Sequence, residues 1–295
     1  MIINTAVVIA AVLTLVPLLG AAFFAGRLGG VGAGLPTWVR LLRPAVLGVP
    51  YLLVASSAGM FRWGWLAVYA GLPVAVAGLL WVAGRVDAEK RGCWLDFVVL
   101  GTLGLAVDLR WFEPAWPAHL AVFSKILLLD AGIYGFQVIR RLDGVGFDLR
   151  LRWEDLKIGL REVLFYTPIA IPVGLGLGFL HGHGWLPGWV KVMQLPASLV
   201  FTFFFIAVPE ELFFRGWVQN LLERRMGRYG ALGVTAVLFG LSHWNKRTTN
   251  FNWQYVLLAA LAGVFYGRAW RKERRVGASA VTHAVVDTIW SFWLR

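Results

Sequence analysis

Long apolar runs, several of them close to twenty residues, make up most of this chain and are separated by short basic or glycine-containing connections. In hydrocarbon no water can satisfy a peptide group, so a segment that crosses a bilayer alone must bond its own backbone as a helix. About 20 residues rising 1.5 Å each cover the roughly 30 Å hydrocarbon layer. Candidate spans fall at 4–26, 44–61, 63–84, 92–108, 117–139, 157–180, 192–222, 229–245, 252–270 and 276–294. The expected fold class is all-α, a polytopic transmembrane helical bundle of about ten helices. The chain is 59% hydrophobic and 15% charged, whereas a soluble domain carries roughly 25% charged residues.

The net charge of +12 does not point to nucleic acid, because the basic residues sit in short clusters between apolar runs. Arg85, Lys90 and Arg91, then Arg140 and Arg141, then Arg224, Arg225 and Arg228, then Arg271, Lys272, Arg274 and Arg275 fall in every second connection. With about ten helices this alternation puts those loops in the cytoplasm and both termini on the non-cytoplasmic side. Sixteen tryptophans, many near the ends of apolar runs, suit the two membrane interfaces. The bilayer lipid is therefore the first expected partner. A single cysteine, Cys93, rules out an intrachain disulfide and a cysteine metal cluster.

The polar stretch around Arg140–Trp153, with Gly144 and Gly146, marks a boundary between an N-terminal set of helices of unassigned role, 1–150, and a second half, 151–295. Glycines at 174, 176 and 178 read as a close-packing face for a neighbouring helix. Lys125 with Asp130, and Arg161 with Glu162, read as mutually satisfied pairs. The His181-Gly182-His183 stretch reads as a polar glycine turn.

Three patterns in the second half carry chemistry: Glu210-Glu211-x-x-x-Arg215, Phe239-x-x-x-His243 and His283-x-x-x-Asp287. Residues four apart share a helix face, so each pattern makes a neighbouring pair. Glu210 lies about 100° round the helix from Glu211, so one acid can pair with Arg215 while the other faces a cavity. Counted from the expected helix ends, Glu210, His243 and Asp287 lie in one layer roughly 16–21 Å into the membrane. Ionisable groups at that depth are expensive and mark functional sites. Acids and imidazoles from three segments supply the parts to activate water.

The chain has no H-E-x-x-H, and the absence of a G-x-S-x-G elbow, with no serine expected at a helical interval from a histidine in these spans, argues against a serine nucleophile. What remains is a glutamate and histidines that polarise water directly, with a donor for the developing oxyanion. A zinc ion held by Glu210, His243 and His283 is the competing version. A non-proteolytic membrane module, binding a partner or moving an ion at the same groups, is the reading of a different class.

In this order, Val208-Pro209-Glu210-Glu211-x-x-x-Arg215, Phe239-x-x-x-His243 and His283-x-x-x-Asp287 resemble the CAAX prenyl endopeptidase and bacteriocin-processing (CPBP, or Abi) family of intramembrane proteases. The resemblance covers roughly 155–295. It implies an integral protein of a prokaryotic plasma membrane that hydrolyses a peptide at the membrane, without a cofactor. It also implies roles: Glu210 as base, His243 as its partner on the water, His283 and Asp287 at the oxyanion. Glu211 would then orient the site with Arg215, and Phe239 would serve as a structural residue. The prenyl-processing branch carries Asn where Asp287 stands, which weakens any claim of a prenylated substrate.

Overall fold

The structure is a computed structural model that describes residues 4–28, 30, 32–182, 188–246, 248 and 250–294. Among the described residues every regular element is a helix, as apolar runs in hydrocarbon require. The chain divides into two compact units, Met1–Asp143 and Gly144–Arg295.

The first unit contains α1 (Thr5–Phe23), α2 (Thr37–Ser57), α3 (Trp63–Val86), α4 (Trp94–Asp108) and α5 (Ala118–Ile139). Its core is aromatic. Tyr51 stacks on Tyr69 at 5.1 Å, and Trp116 meets Tyr69 edge-on at 5.5 Å. Trp116 Nε1 donates to the Tyr69 hydroxyl at 2.5 Å, which donates on to the Phe112 carbonyl at 3.0 Å. The rings are thus buried with their polar tips satisfied. Beside the helix ends, the buried Arg140 donates to Asp96 at 2.9 Å and to Asp87 at 2.6 Å. Asp96, third in α4, also caps its helix by accepting the Cys93 amide at 2.8 Å.

The second unit contains α6 (Trp153–Gly176), α7 (Val192–Leu241), α8 (Trp253–Glu273) and α9 (Val276–Trp293). Within α7, a single α-helical turn, Val208–Glu211, is flanked by π-helical segments Phe203–Ala207 and Leu212–Gln219. Such widened turns re-aim side chains round the axis and recur at functional sites. The Glu210-Glu211 pair sits on the turn between them. Two glycines let helices meet closely. A Cβ on Gly159 would stand 2.6 Å from Val281, and one on Gly240 would stand 2.5 Å from the Val256 carbonyl. These contacts bring α6 onto α9 and α7 onto α8, as small residues do in membrane bundles.

The start of α9 is tied down by its N-cap residue, Arg275. It donates to both Asp155 oxygens at 2.8 and 3.0 Å, and to the Arg150 carbonyl at 2.9 Å. Asp155, third in α6, caps that helix through the Arg152 amide at 2.8 Å. Gly146, at φ +71°, lets the strap before α6 cross here, since a Cβ would stand 1.8 Å from the Arg274 carbonyl oxygen.

Six described helices are long and apolar enough to cross a membrane: α1, α2, α3, α5, α6 and α7. The chain is thus an integral, polytopic membrane protein, but the expectation of about ten spans is corrected. The runs 192–222 and 229–245 fall in one 50-residue stretch that counts once among the six, although its backbone leaves the helix and turns back at Gly227, with φ 75°, ψ 172°. At 15 residues, α4 is short of the hydrocarbon thickness. The two last helices carry Gln254, Arg268, His283 and Asp287, which dilute their apolar content. The glycine face is corrected as well. Gly174 packs against Leu180 of the turn that follows its own helix, and nothing lies within 4 Å of a Cβ on Gly176 or Gly178.

Candidate active site

The site is built around Glu211, which is fully buried. One of its carboxylate oxygens accepts from Arg215 Nε at 2.9 Å, one helical turn on. The same oxygen faces the hydroxyl of Ser279, which also lies 2.9 Å from the Tyr266 carbonyl, so its one proton serves one acceptor at a time. The other Glu211 oxygen lies 2.8 Å from His283 Nδ1. A carboxylate can only accept, so the ring donates from Nδ1. Arg215 lies with its guanidinium carbon 5.3 Å from the Phe239 ring, a cation–π contact that covers part of a buried charge.

His283 is held on three sides. Tyr266 stacks on it at 4.6 Å, Phe239 meets it edge-on at 5.6 Å, and Glu211 fixes Nδ1. The second nitrogen, Nε2, faces two more acids, with Asp287 Oδ2 at 3.5 Å and Glu210 Oε2 at 3.9 Å. That Glu210 oxygen is buried and has no hydrogen-bond partner among the described residues. Its other oxygen lies 4.0 Å from Lys246 Nζ. His243 sits just past the end of α7. Its Nδ1 is 2.9 Å from the Phe239 carbonyl and 3.2 Å from the Ser242 hydroxyl. A carbonyl accepts, so His243 donates from Nδ1 and keeps the Nε2 lone pair free.

A partly open cavity has His243, His283 and Asp287 in its wall. The sequence-derived residues thus cluster, with distinct placements. Glu211 and Arg215 form a buried ion pair, while Glu210 reaches His283 Nε2 from outside the lining of this cavity. Phe239 is central: its carbonyl orients one histidine and its ring supports the other. Glu211 holds the Nδ1 of His283, while Asp287 faces Nε2. One expectation is corrected: a serine does stand one helical turn before a histidine, Ser279 before His283. Tyr266 was also missed, because an aromatic residue in an apolar helix carries no signal of its own.

Elsewhere, Arg161 binds Glu162 at 2.8 Å as expected. Lys125 instead pairs with Glu113 at 3.2 Å, which leaves the buried Asp130 without a hydrogen-bond partner among the described residues. His183 lies outside the described residues.

The zinc set Glu210, His243 and His283 does not fit a metal here. Among the described residues no three His, Cys, Asp or Glu side chains are arranged to hold one, and the Lys246 ammonium lies beside Glu210.

A family model described as type II CAAX prenyl endopeptidase Rce1-like matches residues 192–289, a minority of the chain that includes all three patterns. No curated protein and no solved structure matches the chain.

Proposed function

We propose that this protein is an intramembrane endopeptidase that hydrolyses a peptide bond of a membrane-associated substrate with water activated by Glu210 and His243. One observation carries the reading: a buried carboxylate, Glu211, fixes His283 so that its other nitrogen faces Glu210 and Asp287 at 3.9 and 3.5 Å. At 3.9 Å a water oxygen can sit to one side of the Glu210–His283 pair, within hydrogen-bond distance of both.

In this mechanism a water enters beside Glu210, whose buried oxygen takes one proton as the water oxygen adds to the substrate carbonyl carbon. The carbonyl double bond opens onto its oxygen, and the oxyanion accepts a hydrogen bond from His283 Nε2–H. The imidazolium this requires is balanced by Glu211 on one side and Asp287 on the other. Collapse of the tetrahedral intermediate breaks the C–N bond, and the proton held by Glu210 passes to the leaving amine. His243, donating to the Phe239 carbonyl, offers Nε2 as an acceptor that orients the attacking water.

The test is purified protein in liposomes, incubated with a proteome-derived peptide pool and read by mass spectrometry. New termini are expected with wild type, and Glu210→Gln is expected to lower turnover by about 10²–10⁴-fold. Glu210 makes no close hydrogen bond among the described residues, so the melting temperature should hold. Full activity in Glu210→Gln would remove this mechanism, while no cleavage by wild type would favour a non-proteolytic module.

A further inference from the structure

The cavity beside His283 extends well beyond the reacting groups, and its far part is apolar. Along α9 its wall includes His283, Asp287 and Trp290, at the spacing of a single helix face, and continues to Leu294 just past the helix end. Along α8 the matching stripe is Tyr266, Ala262, Ala259 and Tyr255. The two stripes run in opposite directions. Tyr266 stacks on His283 at 4.6 Å, whereas Tyr255 meets Trp290 at 5.5 Å. The cavity therefore runs from His283 to Trp290, about 10 Å by helical rise. His243 reaches its wall against Tyr255 at 4.7 Å, and the part beyond, at Trp290 and Phe179, is the distal one. Phe179 packs on both aromatics, at 5.2 Å from Tyr255 and 5.8 Å from Trp290.

We infer that this distal part is a specificity pocket, which takes one bulky apolar side chain, aromatic or long aliphatic, from the residue adjoining the scissile bond. The inference rests on the endopeptidase reading. Three observations choose that occupant. The pocket is continuous with the His283–Asp287 end, so whatever fills it is joined to the reacting carbonyl by a short tether. Aromatic faces that line a slot favour another ring by stacked or edge-on contact. Ala170, Ala259 and Ala262 keep the walls thin, and all three are almost fully buried in the fold. A charged side chain here would be desolvated without a partner.

The experiment is the same peptide-pool digestion in liposomes, scored for residue enrichment on each side of every cut. Wild type is expected to enrich Phe, Trp, Leu and Met over Gly, Ala and charged residues at one adjoining position. Synthetic peptides that differ only there should give kcat/KM ratios of about 10–100-fold for Phe over Ala, the range a hydrophobic pocket delivers. Ala259→Leu narrows the pocket and should lower that ratio about tenfold. Trp290→Ala removes its aromatic end and should lower the preference for rings while retaining that for Leu. Both are judged by the ratio, which a general loss of folded enzyme leaves unchanged. Cuts with no enrichment at either adjoining position would overturn the pocket while leaving the endopeptidase intact. An unchanged ratio in Ala259→Leu would overturn it too, and would hand the cavity to a lipid tail. No cuts by wild type would take both readings down together.

Discussion

In Met1–Asp143 the buried Asp130 keeps both carboxylate oxygens without a hydrogen-bond partner among the described residues. In Gly144–Arg295 the equally buried Glu211 has Arg215, Ser279 and His283 around it. The units otherwise use one device in common. Asp96 and Asp155 each stand third in a helix, cap the amide before it, and receive the Nε of a distant arginine, Arg140 or Arg275. A buried arginine clamp is thus general scaffolding in this chain. What separates the second unit is an acid that is itself paired, with Arg215, and in turn holds another group, His283, in place.

The comparison is tested most severely at Glu211. Glu211→Ala strands Arg215 in the interior, so a loss of about 3–5 kcal/mol is expected by denaturation in detergent, with hydrolysis abolished. A variant that unfolds like wild type would reduce Glu211 to the standing of Asp130.

The clamps should rank next. Arg140→Ala and Arg275→Ala each remove charged hydrogen bonds but leave the aspartate its capping amide, so each should cost roughly 1.5–3 kcal/mol in the same assay. Arg275→Lys should recover only part, because an ammonium cannot reproduce the fork that reaches Asp155 and the Arg150 carbonyl together. Unequal losses from the two alanine variants would break the claim of a shared device.

Asp130→Asn is expected to cost less than about 1 kcal/mol, since no partner is lost and the shape is kept. A larger loss would reveal a role for Asp130 and close the gap between the two acids.

Another test is in acid. Asp148, on the strap beside Arg275, has its carboxyl lowered to about 2, chiefly by the hydrogen bond from the Arg150 side chain, against the opposing effect of partial burial. The Arg150 amide and the Arg275 charge lower it further. An unfolded aspartate titrates near about 3.9. The folded value is the lower one, so as pH falls the unfolded chain takes up its proton first. The contribution is whole above about pH 4 and is lost between there and about pH 2. The stability difference between wild type and Asp148→Asn should follow that course, and a difference flat across this range would disconnect Asp148 from the clamp.

Local spacing made part of this legible beforehand. Glu211 with Arg215 and His283 with Asp287 are one turn apart, and helical geometry makes such neighbours visible in a sequence. The contact between Glu211 and His283 spans 72 residues and depends on how two helices pack, for which the sequence offers no rule. Ser279 was there to be found, one turn before His283. Tyr266 was not, since only the packing makes it a platform for an imidazole. The helix count failed for a related reason. Polar residues that equip α8 and α9 for the site also lower their apolar content, so a ruler for lipid-facing runs and a ruler for function disagree there. The π-helical segments around Glu210 leave no mark in the apolar pattern.

Glu210 and His243 are 33 positions apart on what is nominally one helical path, and on an unbroken rod they would lie about 50 Å from each other. Lys246, three residues past His243, nevertheless comes within 4.0 Å of Glu210. The reversal is achieved at Gly227, whose φ of 75° and ψ of 172° belong to a region essentially closed to other residues. Nothing lies within 4 Å of where its Cβ would be, so space is no obstacle to a larger residue there; only the dihedral is. The position with most power over whether the two halves of the chemistry ever meet therefore touches no substrate, carries no charge and has no side chain at all.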